Sequence, residues 1–485
     1  MSMQPFDLVG SLPLIVIWLA LGAVGIVIQA YVRNTRLVFG YYTGTLALTG
    51  LLAALTAYHK TTAFQHMVTV GGYANYFDVL FCAAGILTML AARPYLQRSD
   101  AEYDEFYTLL VSAVSGMMLM AHANNLLVTF VGVELMSISF YVMAGFLRSQ
   151  ERSVESALKY FLLGAFASGF LVYGMALLYG ATGSLDYVAI GMAVHHGTLH
   201  FPTLLAAGAV LVTIGLSFKV AAFPFHQWAP DVYEGAPTTV TAFMSTAGKA
   251  AAFSAFIPII MQVMPLGVGG GPAAAAYAPQ LQLVLAIIAA ITMLVGNISA
   301  VVQTNVKRML AYSSIAHAGY LMMGLVSGTA DGAAGILFYV TSYIFMQIGA
   351  FVIVGLIEKA DGTNVMLDDY RGLGKRQPLL AGLMAIFMFS LAGIPPLAGF
   401  FGKYLLFLSA IEAGFTWLTI VAVVSSVISV YFYLGMVVKM YFQESEGNSE
   451  AVSIGMAGIT LAVATIAVVI LGILPSLLLN IYRTW

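Results

Sequence analysis

Long runs of apolar residues, separated by short polar breaks, follow one another from end to end of the chain. Fourteen of them lie near residues 12–32, 38–58, 77–96, 106–121, 124–147, 156–181, 203–225, 237–263, 280–303, 307–327, 333–357, 379–411, 416–441 and 453–480. A helix needs about 20 apolar residues to cross a bilayer, so the pattern predicts about fourteen transmembrane helices. A spanning barrel would need strands alternating between lipid and a polar lumen, whereas these runs are apolar at successive positions. The predicted fold class is all-α, a polytopic membrane protein.

Composition sharpens this reading. Of 485 residues, 61% are hydrophobic and only 8% charged, against about 25% charged in a soluble domain. Stretches free of charge run from 8 to 32, 106 to 133, 160 to 185, 250 to 306 and 451 to 482. The net charge of −2 offers no basic field for nucleic acid. The single cysteine, Cys82, excludes an internal disulfide, a Cys-based zinc site and an iron-sulfur cluster. His122, His195, His196 and His200 are placed in outer loops without metal-ligand spacing, so no metal is expected. The N-terminus lacks the positive region of a signal peptide and is read as leading into a retained first helix.

The positions of the cations set the topology. Of 19 Lys and Arg, fourteen fall in loops after odd-numbered runs or at the start of the sixth, from Arg33 and Arg36 to Lys439. Lys60 and Arg483 lie on the other side, and Lys219, Lys249 and Lys403 lie inside runs. The positive-inside rule then places both termini on the outer side, with an even number of spans.

Two runs on either side of a Gly/Ala/Pro stretch at 266–279 are broken by proline close to lysine: LSFKVAAFPFHQW around Lys219 and LAGIPPLAGFFGKY around Lys403. Paired broken helices point to an internal repeat that carries a transport path. Lys219 and Lys403 are 184 residues apart, and Glu134 and His317 are 183 apart. Five-helix units give such an offset, and an odd number of helices makes the repeats inverted. The predicted organisation is three N-terminal helices over 1–102, a first repeat of helices 4–8 over 103–265, a second of helices 9–13 over 279–443, and a final helix over 444–485.

Glu134, Lys219, Lys249 and Lys403 all fall within spans, where a charge costs roughly 2.5–3.5 kcal/mol on the insertion scale. One acid cannot neutralise three lysines as static salt bridges, so the set is read as lining a hydrated proton path. Pro224 withholds a donor from the Val220 carbonyl, and Pro395 and Pro396 do so for Leu391 and Ala392. His317 and His226 are candidate proton relays, since imidazole titrates near neutrality. Glu155 and Lys159, spaced i, i+4 at the inner start of the sixth helix, are candidates for proton entry or a plain surface pair. Asp231 and Glu234 are expected to satisfy donors in the turn between helices 7 and 8.

The strings FKVAAFPFHQWAPDVYEGAPTTVTAFMSTAGKAAAF, QTNVKRMLAYSSIAHAGY and FSLAGIPPLAGFFGKY resemble the antiporter-like subunits of the proton-pumping NADH:quinone oxidoreductase, respiratory complex I. The resemblance covers nearly the whole chain and is strongest to subunit N. Lys403 stands where subunits L and N carry lysine and subunit M glutamate, and the chain ends at Trp485 without the lateral helix of subunit L. The resemblance implies a switching pair of Glu134 and Lys219, a central proton carrier at Lys249, and an outward connection at Lys403. It also implies no cofactor in this chain, with flavin and iron-sulfur clusters in partner subunits and quinone as the substrate of the complex. Expected partners are antiporter-like subunit M, small membrane-arm subunits and the lipid bilayer, in a bacterial inner membrane. The alternatives are a subunit of a multisubunit cation/proton antiporter, told apart by copurifying subunits, and a static membrane scaffold.

Overall fold

The computed structural model describes residues 5–32, 34–197, 199, 201–264, 266, 278–444 and 453–483. Arg33, His200 and most of the Gly/Ala/Pro stretch, 267–277, lie outside the described residues. Each predicted apolar run overlaps a helix, with the twelfth and the last each divided between two helices. In chain order these are α1 (Leu12–Tyr31), α2 (Thr35–Thr56), α3 (Gly72–Arg98), α4 (Asp104–His122), α5 (Leu126–Ala144), α6 (Glu151–Thr182) and α7 (Pro202–Val220). They continue as α8 (Thr238–Val263), α9 (Ala278–Val301), α10 (Val306–Ser327), α11 (Ala330–Ile357), α12 in two halves (Pro378–Ala392 and Ala398–Glu412), α13 (Thr416–Phe442) and α14 (Ala457–Ile473). Among the described residues, eleven helices are long and apolar enough to cross a membrane. α4 is not among them, and the first half of α12 and α14 are shorter apolar helices.

Three features depart from a plain run of helices. A two-stranded hairpin, β1 (Thr61–Ala63) against β2 (Val68–Val70), fills the connection between α2 and α3. A short surface helix, Tyr187–His196, follows α6, so His195 and His196 sit on a helix rather than in a loop. His122 is also not in a loop: it is the last residue of α4, fully buried against Asp78 of α3 at 2.8 Å, with Nδ1 on the Thr69 carbonyl.

The centre of the bundle is α8, α10 and α11, each 94% buried over its apolar window, whereas α1, α2 and α13 are only about a third buried. Alanine, glycine, serine and threonine dominate α8, and small residues let helix backbones approach closely in a membrane. The same device joins neighbours: a Cβ on Gly132 of α5 would lie 2.8 Å from the Gly116 carbonyl of α4, and one on Gly319 of α10 would lie 2.8 Å from Met293 N of α9.

Two asparagines, Asn125 and Asn305, cap α5 and α10 by accepting from Leu127 N and Arg308 N. Each also forms an isolated bridge to the connection beyond the next helix, with Asp186 and Met366 respectively. Arg98 donates to the carbonyls of Leu356 and Gly355, and Gln150 to that of Ala360. The ends of α3 and α11 and the start of α6 therefore meet at one end of the bundle, its basic end.

Candidate functional site

Four of the residues singled out in the sequence lie along the interior, and each is held by the break or cap that shapes its helix. α7 stops at Val220, one residue after Lys219, with Ala221 in the left-handed region. The stop leaves Lys219 buried, where Nζ donates to Ser137 Oγ at 2.8 Å and to Tyr141 OH at 3.4 Å on α5. Glu134, one turn earlier on α5, is half-buried and accepts from Ser168 of α6. Lys219 thus docks on α5 one turn from Glu134, through Ser137 and Tyr141, without an ion pair to it within 4 Å.

Lys249 follows a π-helical turn, Met244–Gly248, and is buried at 1% exposure. Such turns widen a helix locally and recur at functional sites. Its ammonium donates to the Ser314 hydroxyl at 2.6 Å and to the Ser314 carbonyl at 2.5 Å on α10. One turn further along α10, His317 is hydrogen-bonded through Nδ1 to Tyr339 of α11 and through Nε2 to Tyr433 OH of α13 at 3.0 Å. Tyr433 in turn meets Ser313.

Lys403 sits in the second half of α12 and reaches back over the break. Nζ donates to the carbonyls of Leu391 and Ala392 at 3.1 and 3.0 Å and to Ser426 Oγ at 2.9 Å, and lies 4.9 Å from the Tyr320 ring centre. These are the two carbonyls from which Pro395 and Pro396 withhold a donor. The lysine supplies what the prolines removed. Gly393, at φ +88°, makes the turn that brings it there, and a Cβ at that position would lie 3.1 Å from Lys403 Cδ.

Among the described residues, none of the three lysines forms an ion pair within 4 Å. Each ammonium instead rests on hydroxyls and carbonyls. That is a bed of acceptors which can hold a proton on nitrogen or on an adjacent water, and it is not a salt-bridge staple.

The remaining candidates lie apart from this row. His226 is partly buried and stacks on Phe223 at 5.6 Å, beyond the end of α7. Glu155 and Lys159 pair at 2.7 Å near the basic end, and Lys159 also reaches Asp231 at 2.7 Å. Arg308 joins Asp231 at 2.7 Å and Glu234 at 2.9 Å, and Arg152 approaches Glu234 at 3.6 Å. Asp231 and Glu234, expected only to satisfy a turn, instead bind α6 to α10 across the interhelical connection. Burial works to raise the Asp231 carboxyl, but hydrogen bonds from Lys159 and Arg308 outweigh it and hold the carboxyl below the usual carboxylate range. A polar cavity of about 200 Å³ opens beside Glu155, Lys159, Asp231 and Glu234.

Sequence reasoning did not single out the hydroxyls that seat the lysines (Ser137, Ser314, Ser426) or the tyrosines around His317. Serine and tyrosine are common in membrane helices, and only the spacing of Ser137 and Tyr141, i, i+4, marks a shared face. Among the described residues no group of three or more His, Cys, Asp or Glu is arranged to hold a metal.

The row of buried lysines in a bundle with a broken α12 is the architecture of an antiporter-like membrane subunit. Residues 123–429 match the family model described as NADH:quinone oxidoreductase/Mrp antiporter, TM. Over 457 residues the chain is 45% identical to NADH-quinone oxidoreductase subunit N 1 of Chloroherpeton thalassium, covering 94% of this chain and 93% of that protein. It also overlays a chain of respiratory complex I from Thermus thermophilus with a TM-score of 0.81 and 34% identity, over 96% of this chain and 98% of that one. A chain of the Mrp complex from Dietzia sp. gives a TM-score of 0.82 at 20% identity, over 99% of this chain and 97% of that one, a likeness of fold alone. The chain belongs to the subunit N family of NADH-quinone oxidoreductase.

Proposed function

We propose that this chain is a proton-translocating membrane-arm subunit of a complex I, in which quinone reduction elsewhere drives proton transfer along Glu134, Lys219, Lys249 and Lys403. The observation that carries the reading is the seating of three buried lysines on hydroxyls and carbonyls without an ion-pair partner. A buried charge without a partner is costly, and its retention marks a transport path. Lys249, near the middle of one of the three most buried helices, is the central carrier. Lys219 with Glu134 switches through Ser137, and Lys403 hands the proton on. His317 relays between Lys249 and Lys403 by way of Tyr433. His226, Glu155 and Lys159 take lesser roles, the last two at proton entry beside the polar cavity.

Two inverted five-helix repeats, over 103–265 and 279–443, follow the three helices of 1–102 and precede the last helix of 444–485, making fourteen spans. The matched asparagine caps of α5 and α10, 180 residues apart, support this arrangement. The basic end faces the cytoplasm of a bacterial inner membrane, with both termini outside. This chain supplies no redox centre; flavin and iron-sulfur clusters belong to partner subunits, which include antiporter-like subunit M and small membrane-arm subunits.

The deciding experiment replaces Lys249 by alanine. NADH- or ferredoxin-driven quinone reduction and proton pumping are then measured in membranes, with assembly followed on a native gel. Loss of coupled turnover in a fully assembled complex is the expected result, and normal pumping with normal assembly refutes the assignment.

A further inference from the structure

A second buried charge pair lies at the basic end, outside the row described above. Lys307, the second residue of α10, and Glu358, just after α11, are 5% and 4% exposed and stand 3.6 Å apart. Glu358 Oε2 accepts from Thr238 Oγ1, the first residue of α8, at 2.5 Å, and Lys307 Nζ donates to the Ala236 carbonyl at 2.9 Å. The pair therefore touches the starts of α8 and α10 and the end of α11, the three central helices. Breaking a fully buried pair strands a charge, and replacing both partners by neutral groups is often tolerated, so a static role predicts that the pair is dispensable as a unit.

Two observations point to traffic instead. Beside the pair, level with the last turns of α3 and α11, a cavity of about 140 Å³ is lined by Tyr95, Arg98, Thr239, Val352, Gly355 and Leu356 among others. That is room for several waters. Thr239 is 2% exposed, and its hydroxyl has no hydrogen-bond partner among the described residues. Tyr95 OH, also on the cavity wall, lies 3.5 Å from Thr238 N, beside the hydroxyl that holds Glu358.

On the inner side, Gln347 of α11 is fully buried between the pair and Lys249. Its Nε2 donates to the Leu310 carbonyl of α10 at 3.4 Å, while Oε1 has no partner among the described residues. Leu310 lies one turn from Lys307 on one side and one turn from Ser314 on the other. Lys307 and Ser314 are two turns apart on one face of α10, a rise of about 10 Å, and Gln347 lies about three turns before the end of α11, after which Glu358 follows. Ser314 is the residue on which Lys249 rests.

We propose that the Lys307–Glu358 pair is the cytoplasmic proton gate of this chain, taking protons from the Tyr95–Thr239 cavity and passing them past Gln347 and Ser314 to Lys249. A proton from cavity water neutralises the Glu358 carboxylate and frees it from Lys307. The proton then leaves through water held at Gln347 and Ser314 and binds the neutral amine of Lys249. Glu358 returns to the carboxylate and re-pairs with Lys307, whose ammonium is unchanged throughout. Tyr95 and Tyr370 are also disposed toward Glu358, and Arg98 stands on the same cavity wall, but its guanidinium is taken up by the Gly355 and Leu356 carbonyls, leaving Lys307 as the ion-pair partner.

This inference rests on the assignment of Lys249 as carrier, and the test separates the two. Glu358→Gln, the double variant Lys307→Met/Glu358→Gln, Gln347→Met and Lys249→Ala are compared in the assembled complex in membrane vesicles. Turnover, protons moved per NADH or ferredoxin oxidised, and the solvent deuterium effect are recorded for each. The gate predicts a turnover drop of at least about tenfold for the double variant, in line with loss of a positioned proton-transfer group, and a larger deuterium effect for Gln347→Met. Gln347→Met keeps the volume of a neutral core side chain, so it reports even where the pair variants fail to assemble. Parental turnover and an unchanged deuterium effect in Gln347→Met, or parental turnover in an assembled double variant, overturn the gate. If Lys249→Ala abolishes pumping in that case, the central carrier stands without the gate. If Lys249→Ala also pumps normally, both fall.

Discussion

At the scale of single residues, the three buried lysines differ in how their surroundings are encoded. Lys403 is the readable case. Proline has no N–H, so Pro395 and Pro396 fix in advance which two carbonyls will want a donor, and the lysine finds both. The turn depends on Gly393, whose left-handed backbone costs an L side chain about 1–2 kcal/mol. Gly393→Ala is expected to lower the stability of the complex by about that amount and to displace Lys403, read as a lower melting temperature together with reduced turnover. Lys219 is the opposite case. The Val220 carbonyl left by Pro224 was a visible acceptor, yet Lys219 turns to Ser137 and Tyr141 on another helix, a choice made by packing that local sequence does not carry. For the same reason the pairs Lys307–Glu358 and His122–Asp78 escaped the sequence reading. Their members are far apart along the chain, and each looked like an ordinary end-of-helix charge or loop histidine until the helices were brought together.

At the scale of elements, the apolar runs were legible because helix in lipid is close to compulsory wherever some twenty apolar residues follow one another. The hairpin of β1 and β2 and the helix of Tyr187–His196 were not, since they are too short to cross the bilayer and no such compulsion acts on them. The connection Trp228–Gly235 is more informative than its sequence suggested, because Asp231 and Glu234 bind α6 to α10 through Lys159 and Arg308. The Asp231 carboxyl is held below the usual range, so its contribution to stability is complete above the ordinary aspartate value near 4. It is lost as the pH falls through the lower folded value. Thermal denaturation of the detergent-solubilised complex should be flat in this respect from pH 7 to 5 and weaken below pH 4, and Asp231→Asn should remove that acid-side dependence. Because the group is partly exposed and screened, the loss at neutral pH is about 1 kcal/mol or less, and smaller in high salt.

At the scale of the whole molecule, the cations that sorted so cleanly in the sequence also meet in space. Arg98 reaches the end of α11, Arg152 and Arg308 both reach Glu234, and Lys439 reaches Asp368. The orientation follows from a labelling experiment that this chain makes simple, since its one cysteine, Cys82, is buried. Cysteine placed at Ser149, exposed between α5 and α6, is expected to react with an impermeant maleimide only from the cytoplasmic side. Cysteine at His196, exposed at the end of the surface helix, is expected to react only from the outside. The reverse pattern would invert the topology and, with it, the side on which the proposed gate opens.

The break in α12 also bears on how the chain gets into the membrane. Its first half has 15 residues, a rise of about 22 Å, short of the roughly 30 Å of hydrocarbon it would have to cross alone. Neither half spans the hydrocarbon by itself, and the loose carbonyls between them are met only once Lys403 of the second half folds back across the break. The two halves of α12 are therefore expected to enter the bilayer together, as one hairpin-like unit closed by its own lysine.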